Sequence, residues 1–518
     1  MPKIVQQDGR FALLVDGQPY LMLGGQIGNS SAWPSLLPQV WPSLEAMHAN
    51  TAEAPVYWEV MEPTPGKFDF TNVDALVTGA REHHLHLILL WFGTWKNGND
   101  HYVPEWIKTD TVRYPRMINP RGEPIDVLSA NSPANLAADK HAFVELMRHL
   151  RTIDGKEHTV LMIQVENESG GVGSVRDFSL VAEQQFEGNV PDELVSALHK
   201  TPGTWKQVFA GDADEYFQAY SQAKYMNEVA AAGKAEFPIP MYMNVWLSYP
   251  PAELPERRIP NPGIGYPSGG AVQRMVPLWK AMAPSIDVIA PDMYSDDSTF
   301  FRETLNTYSR PDNALMIPEC GGGLNYARYF FYALGHGAIG FSPFGVDRIG
   351  WGMPAPAAGA PASAEDSQRG GHGENFALIA PMDRVIAELN FHGKLKTAVE
   401  EPGSAQQEID FGPWQATVSF GFPQPDGRRP PGSTGNIGRA LVAQLGPDEF
   451  LVTGMQAAVA FHQPGHLPGL RMQILRAEEG TYQDGVWHLT RLLNGDQTDR
   501  GLQFRDRPTV VRVRVGRF

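Results

Sequence analysis

Two glutamates end apolar stretches of the sequence that are typical of buried strands. Glu168 ends the stretch "VLMIQVENE", and Glu319 lies far along the chain in "MIPEC". If these strands belong to one parallel sheet, their carboxyl ends meet at the same face of the fold. Two carboxylic acids on either side of a glycosidic bond are what glycoside hydrolysis needs. These residue types and positions therefore predict chemistry on a sugar.

Other polar and aromatic residues lie at predicted strand ends and are candidates for contacts with a sugar. Asn167 directly precedes Glu168 and can hold a sugar 2-hydroxyl, a contact that strengthens in the transition state. Tyr294 ends the sixth strand, where its hydroxyl can hydrogen-bond the nucleophile. The remaining candidates follow the second, third, fifth and eighth strands, and a packing or solvated role is the alternative for each: Trp58, Glu59, Trp95, Lys96, Asn244, Trp246, Asp347 and Trp351.

The elements that must position these residues alternate regularly along the chain. Eight short apolar runs, each followed by a helical pattern, fill residues 19–392. Continuous apolar runs indicate strands buried on both faces, and eight β/α units predict a (β/α)₈ barrel of the α/β class. The region exceeds the typical ~250 residues of this fold. The excess lies in loops after strand ends, at residues 93–134, 169–213 and 342–376.

Smaller β regions are predicted on both sides of the barrel. Residues 1–18 resemble a β-hairpin, and residues 393–518 alternate apolar and polar residues between turns, including Asp484-Gly485. We expect a C-terminal antiparallel β domain. Its role stays open between packing against the barrel, binding glycans and mediating association.

Composition excludes several other classes of function. The net charge of −16 argues against binding to nucleic acid or to an anionic membrane surface. No apolar run approaches the ~20 residues of a membrane helix. The start lacks a secretory segment, so we expect a cytoplasmic protein, or a periplasmic or secreted one whose export signal was removed. We predict no metal and no cofactor, and a homo-oligomer is an open alternative.

Two segments resemble glycoside hydrolase family 35, the β-galactosidases. They are "NTAEAPVYWEVMEPTPGKFDF" at residues 50–70 and "MIQVENESG" at residues 162–170. The resemblance implies a retaining (β/α)₈-barrel glycosidase with Glu168 as acid/base and Glu319 as nucleophile. The chain looks like a divergent bacterial branch, because Ser169 replaces a tyrosine and "LLWFGTWKNG" replaces a stretch that contacts galactose in that family.

The sequence thus predicts a retaining, exo-acting β-glycosidase acting on a carbohydrate, with β-galactosidase as the first hypothesis. We expect the two carboxyl groups ~5–5.5 Å apart. We also expect the pKa of Glu168 to be raised by its charged neighbour. The alternatives are the same machinery acting on a β-glucoside, a β-glucuronide or an α-arabinoside, and a barrel that binds sugar without catalysis. A basic pocket around Lys96 would favour the uronate, and the two intact carboxylates argue against the non-catalytic barrel.

Overall fold

The computed structural model of the 518-residue chain describes six ranges of residues. These are residues 1–250, 260–349, 371–422, 432–465, 471–505 and 509–518. Part of the 342–376 loop, together with Trp351, lies outside them.

The N-terminal residues form a small antiparallel sheet of three strands, one more than the hairpin predicted for residues 1–18. The strands are β1 (Lys3–Gln7), β2 (Arg10–Val15) and β3 (Gln18–Tyr20). Asp-Gly turns join them, at residues 8–9 and 16–17, and all four turn residues have positive φ. Such turns match the twist of the flanking strands.

A closed barrel of eight parallel strands follows, which confirms the predicted fold class. Each strand pairs with the next in chain order, and the eighth pairs with the first. The strands are β4 (Met22–Gln26), β5 (Thr51–Tyr57), β6 (His86–Lys96), β9 (Val160–Asn167), β10 (Met241–Trp246), β11 (Val288–Met293), β12 (Ile317–Cys320) and β13 (Gly340–Pro343). Nearly all of their residues are buried, as expected for strands between a packed interior and a ring of helices.

Helices alternate with the barrel strands and lie in the long loops. They are α1 (Leu37–Ala46), α2 (Trp58–Met61), α3 (Thr71–Glu82), α4 (Glu105–Thr109), α5 (Pro133–Asp154), α6 (Leu180–Phe186), α7 (Asp192–Ala197), α8 (Trp205–Phe209), α9 (Ala213–Glu236), α10 (Val276–Met282), α11 (Ser298–Tyr308), α12 (Leu324–Ala327), α13 (Tyr329–Gly335), α14 (His372–Ile379) and α15 (Asp383–Phe391). The loop after β6 also carries the small hairpin β7 (Arg116–Ile118) and β8 (Pro124–Leu128). Within the described residues, no helix has the length and apolar character needed to cross a membrane.

Two antiparallel sheets follow the barrel, as predicted. One has six strands in the order β14-β17-β18-β23-β20-β21, and the other has four in the order β15-β16-β19-β22. Their bounds are β14 (Leu395–Val399), β15 (Gln406–Asp410), β16 (Gln415–Phe420), β17 (Arg439–Gly446), β18 (Glu449–Met455), β19 (Ala457–His462), β20 (Met472–Gln483), β21 (Val486–Leu493), β22 (Leu502–Phe504) and β23 (Thr509–Arg517). A second apolar core between the two sheets includes Trp414, Phe420, Phe450 and Phe504.

A seam of buried polar contacts joins these sheets to the barrel. The guanidinium of Arg328 donates to the backbone carbonyls of Glu400 (2.9 Å) and Asn436 (3.1 Å), both in the C-terminal region. It also donates to the hydroxyl of Tyr329, which in turn donates to the carbonyl of Asp296 after β11. Apolar residues of β14, β17 and β18 extend the core of the barrel across the same boundary. The seam therefore reaches a loop at the carboxyl ends of the barrel strands.

Candidate active site

A cavity of about 730 Å³ opens at the carboxyl ends of the barrel strands. Five of the residues predicted from the sequence line it: Lys96, Glu168, Trp246, Tyr294 and Glu319. The structure adds others that the sequence did not single out for this site, and these are Gly28, Asn29, Ser30, Asn97, Tyr249, Cys320, Gly321, Gly322 and Phe344.

Glu319 lies on β12 and accepts hydrogen bonds from residues at the carboxyl ends of β4 and β11. Gln26, at the end of β4, donates from Nε2 to Oε2 at 3.0 Å. The hydroxyl of Tyr294 donates to Oε1 at 2.5 Å. Both oxygens of the carboxyl group therefore accept a hydrogen bond. These hydrogen bonds fix its direction at the floor of the cavity.

Glu168 directly follows β9 and is held through its backbone. Its amide donates to Oδ1 of Asn244 on β10 at 2.8 Å, and its φ of 44° lies in the left-handed region. Residues with side chains rarely adopt this conformation, and it often occurs at functional sites. Only 8% of Glu168 is exposed. Burial, followed by the charge of Glu319, raises the pKa of Glu168 to about 7, although the Lys96 ammonium acts in the opposite direction.

A third carboxyl group, that of Asp292, joins the two glutamates. Asp292 lies on β11 opposite Glu319 in the strand register, and Nδ2 of Asn244 donates to its Oδ2 at 2.8 Å. One carboxylate oxygen from each of Asp292, Glu168 and Glu319 lies within 4.8 Å of the other two. The sequence did not single out Asp292, because it lies inside the apolar run that predicts β11.

In the described residues, these three carboxyl groups are the cluster whose spacing could hold a metal ion. The Lys96 ammonium lies close enough to lower the pKa of both Glu168 and Asp292. Its positive charge would oppose a cation bound at this place.

Lys96 and Asn167 form a polar contact beside the acid cluster. The ammonium of Lys96 donates to Oδ1 of Asn97 at 2.5 Å and to Oδ1 of Asn167 at 2.8 Å. Asn167 is fully buried, and its Nδ2 has no hydrogen-bond acceptor among the described residues. A buried amide without an acceptor is uncommon in proteins, and Asn167 lies behind the residues that line the cavity.

The position of Lys96 depends on a bulge in β6 that a buried acid fills. Between Trp91 and Lys96, the register of β6 against β9 shifts by several residues. The carboxylate of Glu166 accepts from the Trp95 amide inside this bulge at 2.6 Å and hydrogen-bonds Asp139. Burial and the Asp139 charge raise the pKa of Glu166 well above its usual value. Glu166 is thus a buried, paired carboxyl group that supports the site.

Several predicted contact residues lie away from the cavity lining. Trp58 and Trp95 are fully buried, and their indole N–H groups donate to Glu62 and to the Leu128 carbonyl, respectively. Glu59 is partly exposed and pairs with Lys108 at 3.1 Å. Trp58 and Trp95 thus have packing roles, and Glu59 has a surface ion pair. The sequence alone could not distinguish these roles from contacts with a substrate.

Two further candidates support the cavity through the backbone. Asn244 is buried and bridges the Glu168 amide and the Asp292 carboxyl. Asp347, after β13, is also buried, and its carboxylate accepts from the Gly28 amide at 3.1 Å. Asp347 thereby holds the loop after β4 that carries Asn29 and Ser30 to the cavity. The last candidate, Trp351, lies outside the described residues.

The fold and the site define a (β/α)₈ barrel with a buried acidic pocket at the carboxyl ends of its strands, followed by antiparallel sheets. A curated β-galactosidase from Xanthomonas manihotis is 28% identical over 159 residues, which are 30% of this chain and 25% of that protein. The solved β-galactosidase from Bacillus circulans sp. alkalophilus is similar in fold, with a TM-score of 0.50 and 16% identity. That match covers 72% of this chain and 57% of the solved one.

Two further matches complete the comparison. The β-galactosidase from the psychrophilic Marinomonas ef1 has a TM-score of 0.48 and 13% identity, over 70% of this chain and 60% of its own. A family model described as a domain of unknown function (DUF5597) matches residues 372–505, which begin in α14 and run into the C-terminal sheets. The resemblance to β-galactosidases seen in the sequence is confirmed, while the chain spans only part of the length of these relatives.

Proposed function

We propose that the protein is a glycoside hydrolase that releases a terminal sugar by retaining double displacement, with a β-galactoside as substrate. The observation that carries the proposal is the pair Glu168 and Glu319, which share one cavity with carboxylate oxygens within 4.8 Å of each other. Retaining enzymes keep their carboxyl groups ~5–5.5 Å apart, whereas inverting enzymes leave ~6.5–9.5 Å for a water molecule. Nearest oxygens at this distance are compatible with the retaining arrangement.

The surroundings of the two glutamates assign a role to each. Glu319, met by two donors, is prepared as a carboxylate that attacks the anomeric carbon. Glu168, whose pKa is raised to about 7, can hold the proton that the leaving oxygen needs. In the second step, Glu168 takes a proton from water, which then releases the sugar from Glu319.

The pocket favours a neutral sugar at the end of a glycan. Its volume of about 730 Å³ suits a small number of sugar units rather than a long polymer. Three acidic side chains face one ammonium group there, and that group already binds two amide oxygens. A uronate would bring another negative charge to this cluster, so we favour a neutral galactoside. The Nδ2 atom of Asn167 is the donor we propose for the 2-hydroxyl.

A panel of nitrophenyl glycosides tests this proposal. We expect hydrolysis of the β-galactoside at least ~10-fold faster, by kcat/KM, than of the β-glucoside, β-glucuronide or α-arabinoside, since a few changed polar contacts discriminate at this level. Proton NMR of the first product should show the β-anomer. A faster rate with another sugar would reassign the substrate, and an initial α-anomer would exclude retention. Binding of galactose without turnover of any glycoside would favour a non-catalytic barrel.

The pH dependence of kcat/KM should show an alkaline limb near pH 7. Glu168 must carry its proton in the first step, and its pKa is raised to about 7, so activity is present below this pH and falls as the pH rises through it. Initial rates between pH 5 and pH 9 measure the limb. A dinitrophenyl galactoside is the matched control, because its leaving group needs little protonation and its limb should be much weaker. Equal limbs for both substrates would contradict this role of Glu168.

A further inference from the structure

The strongest feature that the proposed mechanism leaves unused is Asp292. We propose that Asp292 is a positioning residue that donates a hydrogen bond from its protonated carboxyl group to Glu168. This inference rests on the proposed function, since Glu168 is its acid/base. It explains why a third acid lies fully buried between the two glutamates.

The geometry places Asp292 and Glu168 on one rigid support. A single side chain, Asn244, accepts from the Glu168 amide and donates to Oδ2 of Asp292, each at 2.8 Å. One carboxylate oxygen of Asp292 lies within 4.8 Å of one of Glu168. The backbone carbonyl of Asp292 accepts from the Tyr249 hydroxyl at 2.7 Å, which fixes the end of β11. Both acids are therefore held in place by neighbours that do not titrate in the working range.

We expect a proton on one of the two acids, because buried carboxyl groups with oxygens within 4.8 Å disfavour each other's charged form. Asp292 is the less exposed of the two, with 0% against 8% for Glu168. Oδ1 of Asp292 receives no hydrogen bond from N–H or O–H donors in the described residues, whereas Oδ2 does. Burial and the charges of Glu319 and Glu168 also raise the pKa of Asp292 well above its usual value. Asp292 thus donates its proton in a hydrogen bond that Glu168 accepts.

The other groups around Asp292 are compatible with this assignment. The charged groups that face it are Glu319 on β12, Glu168 after β9 and Lys96 on β6. Burial raises the pKa of the titratable neighbours and keeps them neutral, and these are Tyr242, Tyr249, Tyr294, Tyr308 and Cys320.

The functional consequence of the Asp292 donor concerns the second step of the proposed reaction. A donor on Asp292 favours the ionised form of Glu168, which is the form that activates water.

Two substitutions separate this role from a general structural one. Asp292→Asn keeps an acceptor for Asn244 and a donor for Glu168, and so imitates the protonated acid. Asp292→Leu has a similar size but lacks the donor. We expect the alkaline limb of kcat/KM to stay within ~0.3 pH units of the wild type in Asp292→Asn. It should move up by ~1 pH unit in Asp292→Leu, since a hydrogen bond to a charged group shifts a pKa by about this amount. Thermal unfolding of each variant checks that it is folded.

The outcomes are distinct. A limb that moves down by ~1 pH unit or more in Asp292→Asn would overturn the proposal, because it would mean that a negative charge had been removed from beside Glu168. Equal limbs in all three proteins would also overturn it. Where Asp292→Leu does not fold, the Asp292→Asn result alone decides.

A wild-type chain that hydrolyses no glycoside would contradict the proposed function and not the protonated Asp292. The infrared difference spectrum of the wild type minus Asp292→Asn, recorded at pH 9, then tests the acid directly. A positive band of a protonated carboxyl group in this difference supports the assignment. Its absence rejects the assignment.

Discussion

Replacement of Glu319 by glutamine is expected to lower kcat for a nitrophenyl galactoside by ~10⁴-fold or more, as loss of an enzymic nucleophile does. Glutamine has the same shape and still offers an oxygen to Tyr294 or Gln26, so the pocket should remain intact. The amide cannot form the covalent glycosyl-enzyme, and the first step is lost. Steady-state rates, with the binding of galactose measured by calorimetry, separate loss of chemistry from loss of structure.

Two comparisons make this experiment decisive. Glu45→Gln is the matched control, because Glu45 lies on the barrel surface, where it pairs with His83, and the variant should keep wild-type rates. A 2-fluoro galactoside that forms a slow covalent intermediate should label the wild type at Glu319, as identified by peptide mass spectrometry. Wild-type turnover in Glu319→Gln, or a label on another residue, would remove Glu319 from the nucleophile role.

Replacement of Glu168 by alanine should separate substrates by their leaving groups. For a nitrophenyl or natural galactoside we expect kcat/KM to fall by ~10²–10⁴-fold, the usual contribution of general acid–base catalysis. For a dinitrophenyl galactoside, kcat/KM should fall much less, because that leaving group departs without a proton. The covalent intermediate then accumulates, since water lacks its general base. Pre-steady-state bursts of dinitrophenol measure this accumulation.

Added azide provides the stereochemical test of the same variant. A small anion can occupy the space left by the Glu168 side chain and attack the covalent intermediate, so turnover should rise and a β-glycosyl azide should form. The reciprocal variant, Glu319→Gly, should give an α-glycosyl azide, because azide then attacks in place of the nucleophile. If the two products were exchanged between the variants, the roles of the two glutamates would be exchanged as well.

The placement of Glu168 and Glu319 at one face could be predicted from the sequence because the argument needs only the direction of the strands. A parallel sheet brings every carboxyl end to one face, whatever the loops do. Tyr294 followed for the same reason, and it contacts Glu319. The barrel itself was readable because strands buried on both faces give continuous apolar runs.

The surroundings of the pair were harder to predict because residue type does not reveal burial or direction. Asp292 and Gln26 lie within apolar strands, and nothing in the sequence shows that their side chains turn toward Glu319. Trp95 was a reasonable candidate for sugar stacking, yet it packs against Tyr225 beneath the β6 bulge. That bulge depends on the pairing of β6 with β9, which is a tertiary property.

The seam at Arg328 has a consequence for how the protein can be divided. Cutting the chain before β14 would remove two carbonyl acceptors of Arg328 and expose the apolar barrel residues that β14, β17 and β18 cover, which is destabilising. Through Tyr329, the change would reach the loop that carries Tyr294. We therefore expect the barrel alone to be less stable than the whole chain. A chimera with another barrel should therefore keep both sides of this seam, Arg328 and the C-terminal carbonyls that it contacts, from the same protein.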